Sequence, residues 1–530
     1  MDAYYDDAVW MIVVGFITSF FLAFAVGAND VANSFGTSVG SRALTLGQAC
    51  ILASIFETLG AILIGAKVSD TIRKGLFDPT LYEDDPLLLM VGQISALLAA
   101  TIWIFIATAL KLPVSGTHSS VGAVLGYHLA AFGGKGVDWI EIIKIILSWF
   151  VSPVLAGAVS IFVFWIFRET VIKKEEPLEP GLISMPFWYA VVVFINFFSI
   201  FIDTEGGMED LPIWAICLIS FGIGFVIGLV VWFVFVPILR RRILVMMAEN
   251  DGIKIPEKVE TKETTTESVQ IESVQIESVQ IESVSKSIET NQNGEAPQST
   301  GKKTSHPNLQ IMTSFISFLD EVTTEHEKHE GWETLKDIPC IHRLCMPLQI
   351  LSSIFSSFAH GGNDVSNSIG PFVALFVIYT TGDVEQEAPV PVWILFYGAV
   401  GMTIGLWALG RRVIETVGDD LTPLTPSSGF TIELGSATTV LTASNLGLPV
   451  STTHCKVGAI VAVGWFRNRT AVDWKLFKTI FLAWIVTLPA TIGLSAGFMA
   501  CLQLTIRDYV YPTPTGGEVI FNATRSMLWE

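Results

Sequence analysis

Charge is what this sequence has least of. Only 15% of its 530 residues are Asp, Glu, Lys or Arg, against 51% hydrophobic, and the mean hydropathy is +0.56. Soluble globular chains carry about 25% charged residues overall, so composition points to a membrane protein. A basic excess is missing as well. The formal net charge is −19, with the acidic residues crowded into loops and a central linker, so nucleic acid is not an expected partner. The six cysteines, Cys50, Cys217, Cys340, Cys345, Cys455 and Cys501, lack the spacing of a metal site or a disulfide framework and read as small apolar residues. The first ten residues, MDAYYDDAVW, hold no basic residue ahead of the apolar run, so a cleaved signal peptide is not expected and the first span should stay in the chain.

What is there in abundance is long apolar runs, such as ILASIFETLGAILIGA and FGIGFVIGLVVWFVFVPIL. They predict an all-α polytopic membrane protein with about twelve crossings, at roughly 8–27, 45–66, 88–111, 113–131, 139–167, 185–203, 211–238, 346–378, 391–410, 429–447, 449–465 and 474–505. With the N-terminus outside, the inner loops hold Arg42, Arg168, Lys173, Lys174, Arg240 to Arg242, Arg411, Arg412, Arg467 and Arg469. The outer loops DTEGGMED and TTGDVEQEAP hold no Lys or Arg. Lys67, Arg73 and Lys74 oppose that orientation. The multi-pass protein is thus expected with both termini outside, in a plasma membrane.

Residues 239–345 differ from the rest. They contain three consecutive copies of ESVQI from Glu267 and are rich in Glu, Thr, Ser and Lys, the composition of a disordered cytosolic loop. The Val and Ile alternation of the repeat could instead pair as a short strand, and FISFLDEV at 315–322 could form an amphipathic surface helix.

The two ends of the chain repeat each other. GANDVANSFG (27–36) matches GGNDVSNSIG (361–370) at seven of ten positions, LPVSGTHSSVGA (112–123) matches LPVSTTHCKVGA (448–459) at nine of twelve, and VDW at 137–139 recurs at 472–474. The offsets of 334, 336 and 335 keep one order. The expected organisation is a first repeat over 8–167, a connecting pair of crossings over 185–238, the loop 239–345, a second repeat over 346–505 and a tail over 506–530. An odd number of crossings per repeat followed by two more turns the second copy upside down, the inverted-topology plan with broken helices or re-entrant hairpins.

A carboxylate at mid-bilayer costs about 2.5–3.5 kcal/mol on insertion scales, so Asp30 and Asp364 should face protein or water and meet a cation. Asn29, Asn33, Asp30 and Ser34, like Asn363, Asn367, Asp364 and Ser368, offer hard oxygens on adjoining helix faces that suit Na⁺. Gly27 and Gly36, and Gly361, Gly362 and Gly370 before Pro371, let the helix break, freeing carbonyls for cations and amides for anions. In the LPVS motifs proline ends one helix, and Ser115 and Thr117, or Ser451, Thr452 and Thr453, open the next. Each copy alone reads as an ordinary N-cap or an anion site; the pair favours the site. Glu57 and Glu433 are isolated acids within apolar spans and are not repeat equivalents, Met402 standing opposite Glu57. His118, His360 and His454 could relay protons or gate, or simply bond backbone.

On GANDVANSFG, GGNDVSNSIGP, PVSGTH, PVSTTHCKVGA and SSGFTIELGSA the sequence resembles the inorganic phosphate transporter family of the sodium-dependent type. The resemblance covers both halves and leaves out the middle loop and the ends. It implies an inverted-repeat, often dimeric fold that carries phosphate inward with Na⁺ as coupling ion, with no other cofactor and no enzymatic step. It implies roles in ion and phosphate binding for the signature Asp and Asn, the buried glutamates and the PVS hydroxyls. The expected sodium ligands are Asn29, Asp30, Asn363, Asp364, Glu57 and Glu433, and the expected phosphate ligands Ser115, Thr117, Ser451, Thr452, Thr453, Asn33 and Asn367. Proton coupling, another oxyanion such as sulfate, and a phosphate sensor that does not transport are the alternatives. An intramembrane phosphatase would need a nucleophile or metal cluster that the motifs do not suggest.

Overall fold

A computed structural model describes residues 8–74, 76–203, 211–250, 335–386, 388–445 and 450–510. Most belong to one compact unit, Met1–Leu244 with Thr324–Glu530; the second, Val245–Thr323, is described only for 245–250. The described residues are helical except for connecting turns and one isolated bridge between Phe77 and Val137. Helix is the local solution in lipid because it pairs every backbone N–H and C=O within the segment.

The helices are α1 Val9–Gly40, α2 Leu46–Lys74, α3 Pro86–Ala109, α4 Gly116–Phe132, α5 Trp139–Phe167, α6 Leu178–Asp203, α7 Ile213–Val230, α8 Val236–Asn250, α9 Pro339–His360, α10 Ser366–Thr381, α11 Val392–Leu409, α12 Arg411–Glu415, α13 Pro426–Asn445, α14 Thr452–Arg467 and α15 Trp474–Val510. Their starts are legible in the sequence. Asp85 caps α3 by accepting from the Leu88 amide, with Pro86 at the first helical position, and Asp138 caps α5 by accepting from the amides of Ile140 and Glu141.

Eight helices among the described residues are long and apolar enough to cross a membrane: Val9–Gly40, Leu46–Ala66, Pro86–Ala109, Trp139–Ile172, Leu178–Ile202, Ile213–Met247, Val392–Leu409 and Trp474–Leu504. The remaining expected crossings are helical too, as α4, α9 with α10, α13 and α14, but shorter or more polar. They carry both LPVS motifs, the second signature and SSGFTIELGSA, the first signature lying on α1, and most of their residues are buried against other helices. The lipid side is marked by large apolar side chains left open, such as Val154 at 72%, Trp214 at 70% and Phe233 at 71% exposure, which only an apolar solvent would stabilise. Of the expected loop 239–345, the described residues include the end of α8 and the start of α9; the ESVQI copies and FISFLDEV lie outside the described residues.

The signature glycines do something other than break a helix. The chain runs as unbroken α-helix through the first signature, and through the second as a five-residue π-helical turn, Gly361–Val365, between α9 and α10. At Gly27 a β-carbon would strike the Met402 backbone of α11, and at Gly361 it would strike the Glu57 backbone of α2. The missing side chain is spent on close helix packing. Two more glycines complete the pattern: Gly60 of α2 packs on the Phe358 carbonyl, and Gly405 of α11 on the Phe24 carbonyl. Among the described residues the chain leaves the helix instead at the LPVS motifs, over 112–115 between α3 and α4 and at Val450 and Ser451 just ahead of α14. In matching fashion α4 packs on α15 and α14 on α5.

Candidate functional site

Asp30 on α1 and Asp364 in the π-helical turn are both 1% exposed. Their carboxylates lie beside His360, one ligand atom from each of the three falling within 4.8 Å of the others. Each aspartate belongs to a small network, and the two networks exchange partners between the repeats. Asn33 donates to Asp30 Oδ1 at 3.1 Å and to Thr453 Oγ1 of α14 at 2.8 Å. Asn367 donates to Asp364 Oδ1 at 3.4 Å and to Thr117 Oγ1 of α4 at 2.7 Å. The first signature thus reaches the second LPVS motif and the second signature the first. Thr453 also approaches Asp30 Oδ1 at 3.3 Å, and Thr452 donates to Asp364 Oδ2 at 3.4 Å.

Glu57, the third acid, receives the Ser34 hydroxyl at 3.2 Å and sits 3.1 Å from His360 Nδ1. His360 Nε2 lies 3.0 Å from Asp364 Oδ2, close enough for an ion pair but too poorly aligned for a hydrogen bond. Asn33 Oδ1, Asn367 Oδ1 and Glu57 Oε2 are buried and receive no hydrogen bond from the protein. Three carboxylates therefore gather about one histidine, with two orphaned amide oxygens on the asparagines bonded to two of them. Burying that much electron-rich oxygen is costly unless cations join it.

Two helix N-termini meet the same centre. A β-carbon on Gly116, the first residue of α4, would lie 3.2 Å from Asp30 Oδ2. Ser115 and Ser451 are N-caps, accepting from the amides of His118 and His454 at 3.2 and 3.3 Å. The amides of Gly116 and Thr117, and of Thr452 and Thr453, precede the first intrahelical acceptor and remain as donors for an anion. Each cap hydroxyl keeps its own proton to give.

The expected residues do not all gather here. Asn29 donates to Thr108 Oγ1 and the Leu112 carbonyl, both at 3.0 Å, and accepts from the Val114 amide at 2.9 Å. It pins the α3–α4 connection to α1. Asn363 is half-buried in the π-helical turn. Glu433 of α13 takes a different set of neighbours, receiving the Thr37 hydroxyl at 2.5 Å and the Lys456 ammonium. His118 and His454 lie with ring centroids 4.9 Å apart and partner tryptophans; Trp149 donates to His118 Nε2 at 2.9 Å, and Trp484 stacks on His454 at 4.0 Å.

Trp149, Trp484 and Lys456 were not anticipated. The tryptophans had a signal, each standing ten residues after the Trp of a VDW. So had Lys456, the charged exception inside a repeated apolar motif, where the first copy has Ser120.

A polytopic helical bundle that buries paired acids against paired half-helix N-termini belongs to the class of membrane transport proteins. The chain is a member of the Phosphate transporter family, which matches residues 26–495. It is 40% identical to sodium-dependent phosphate transporter 2 of Xenopus tropicalis, over 95% of this chain and 99% of that one, and 40% identical to sodium-dependent phosphate transporter 2 of Homo sapiens, over 95% and 100%. A solved structure described as the sodium-dependent phosphate transporter is similar with a TM-score of 0.68 and 32% identity, covering 93% of this chain and 99% of that one. Family and relatives are transporters, not enzymes.

Proposed function

We propose that this chain carries inorganic phosphate across a membrane together with Na⁺, by alternating access around the Asp30–Asp364 centre. The observation that carries the reading is the mismatch at that centre, where Asp30, Glu57, Asp364 and the free oxygens of Asn33 and Asn367 outweigh His360. Sodium ions fill the mismatch. Their charge converts a site that repels anions into one that admits them, and phosphate then docks on the amides and hydroxyls that open α4 and α14. Ser115, Thr117, Ser451, Thr452 and Thr453 form its expected contacts, with Asn33 and Asn367 bridging the two kinds of ligand. The order of charge creates the coupling.

Two inverted repeats of five crossings, joined by α6 and α7 for twelve in all, belong to the same proposal. Exchanged Asn–Thr bonds and the paired packing of Gly27 with Met402 and Gly361 with Glu57 support it. A plasma-membrane location, termini outside, residues 239–345 in the cytosol and a homodimer complete the proposal.

Labelled phosphate uptake into proteoliposomes tests the reading. Uptake driven by a sodium gradient, lost when choline replaces Na⁺ even under an imposed pH gradient and resistant to sulfate, is the expected result. Uptake driven by the pH gradient alone would make protons the coupling ion, and binding without uptake would make the protein a sensor.

A further inference from the structure

The two in-span glutamates have been dealt with differently. Glu57 keeps one carboxylate oxygen unpartnered, whereas Glu433 has both in use, Oε1 receiving Thr37 at 2.5 Å and Oε2 the ammonium of Lys456. Glu433 is 1% exposed, Lys456 3% and Thr37 fully buried, so the ion pair is closed off from water. Lys456 reaches one more oxygen, Ser356 Oγ of α9 at 3.5 Å.

The position of this pair is informative. Asn33 and Thr453 join α1 to α14 by the 2.8 Å bond at the centre. One helical turn further along each helix, Thr37 follows Asn33 and Lys456 follows Thr452 and Thr453, and there Glu433 joins the same two helices again. The pair is therefore the layer next to the proposed ion site. It also breaks the repeat. At the 336-residue offset of the LPVS motifs, Lys456 corresponds to Ser120 and Glu433 to Leu97. Ser120 donates to the Asn367 carbonyl at 3.2 Å and Leu97 lies in the apolar core. Acid and base are thus present together in one half and absent together from the other. A buried lone carboxylate would need a cation of its own, and here the protein supplies one that cannot leave.

We propose that Lys456 is a tethered cation: it occupies, at Glu433, a place that would otherwise take a sodium ion, and so limits how many coupling ions the second repeat binds. The inference rests on the symport reading above and adds which acid is withheld from sodium. The full chain, reconstituted in proteoliposomes, is assayed for labelled phosphate uptake across a range of Na⁺ concentrations and for the ratio of sodium to phosphate carried. In Lys456→Met the carboxylate is released. The half-saturating Na⁺ concentration should rise severalfold, the curve should steepen, high Na⁺ should recover uptake, and an additional sodium should move per phosphate. The double variant Glu433→Gln with Lys456→Met removes both charges and should return the wild-type steepness and ratio. A Lys456→Met curve with wild-type shape overturns the proposal. So does a loss that Na⁺ does not relieve, in the single variant alone or in both, because the pair would then serve only to hold the helices. Wild-type uptake indifferent to Na⁺ removes the symport reading first, before any variant is compared, and the inference with it.

Discussion

Asparagine and threonine do at this centre what neither could do singly. Asn33 and Asn367 each give both amide protons to fixed partners, one an aspartate and one a threonine from the other repeat, so each is left presenting its oxygen. Thr117→Val and Thr453→Val keep the shape and remove that partner. A neutral hydrogen bond contributes about 0.5–1.5 kcal/mol, so each change should weaken transport severalfold at limiting Na⁺, and to a similar degree. Unequal effects, measured as initial uptake rates, would mean that only one network works. Ser115→Ala and Ser451→Ala act on the anion side instead. Losing a donor to a charged group costs about 1.5–3 kcal/mol, which should raise the phosphate KM by roughly ten- to a hundredfold while moving the Na⁺ dependence less. An unchanged phosphate KM in both would count against the half-helix site. At this scale the sequence was legible where polar residues recur inside apolar spans, as Asp30, Asn33 and Thr453 do. It was not legible where one residue type serves two purposes. Asn29 and Asn33 look alike on paper, yet Asn29 spends its amide on the α3–α4 connection, and nothing local to GANDVANSFG says so.

Elements were read well from the apolar runs, because a bilayer permits few alternatives to helix. Helix starts at Pro86, Gly116 and Trp139 follow from Asp85, Ser115 and Asp138, whose side chains bond the first free amides. The glycines misled, since Gly27 and Gly361 suggest a broken helix but are required by the backbones of α11 and α2 pressed against them, a long-range fact with no local signal. This makes a sharp prediction. Gly27→Val and Gly361→Val should each sharply reduce the yield of folded protein, seen as loss of the monodisperse peak in detergent chromatography. Substitution at Gly222 or Gly493, where a β-carbon meets nothing within 4 Å, should not. Normal yields for the first pair would show that α1 and α11, and the π-helical turn and α2, do not approach as described.

For the whole molecule, repeat and orientation make claims that single residues cannot. Two glycosylation sequons occur, Asn468-Arg469-Thr470 and Asn522-Ala523-Thr524. With the termini outside, only Asn522 is on the glycosylated side. Asn468 closes α14, where its side chain accepts from Thr470 in a tight turn. Expression in microsomes with Asn468→Gln and Asn522→Gln variants should show no glycan on Asn468; a glycan there would invert or miscount the second repeat. The central claim is that both copies of the signature build one site. It is tested most directly by sodium-dependent phosphate uptake in Asp30→Asn and Asp364→Asn, each at normal surface abundance. Removing either charge should abolish most uptake, because each carboxylate faces the other across the same centre. Wild-type-like uptake in either variant, at both limiting and saturating Na⁺, would contradict a shared site.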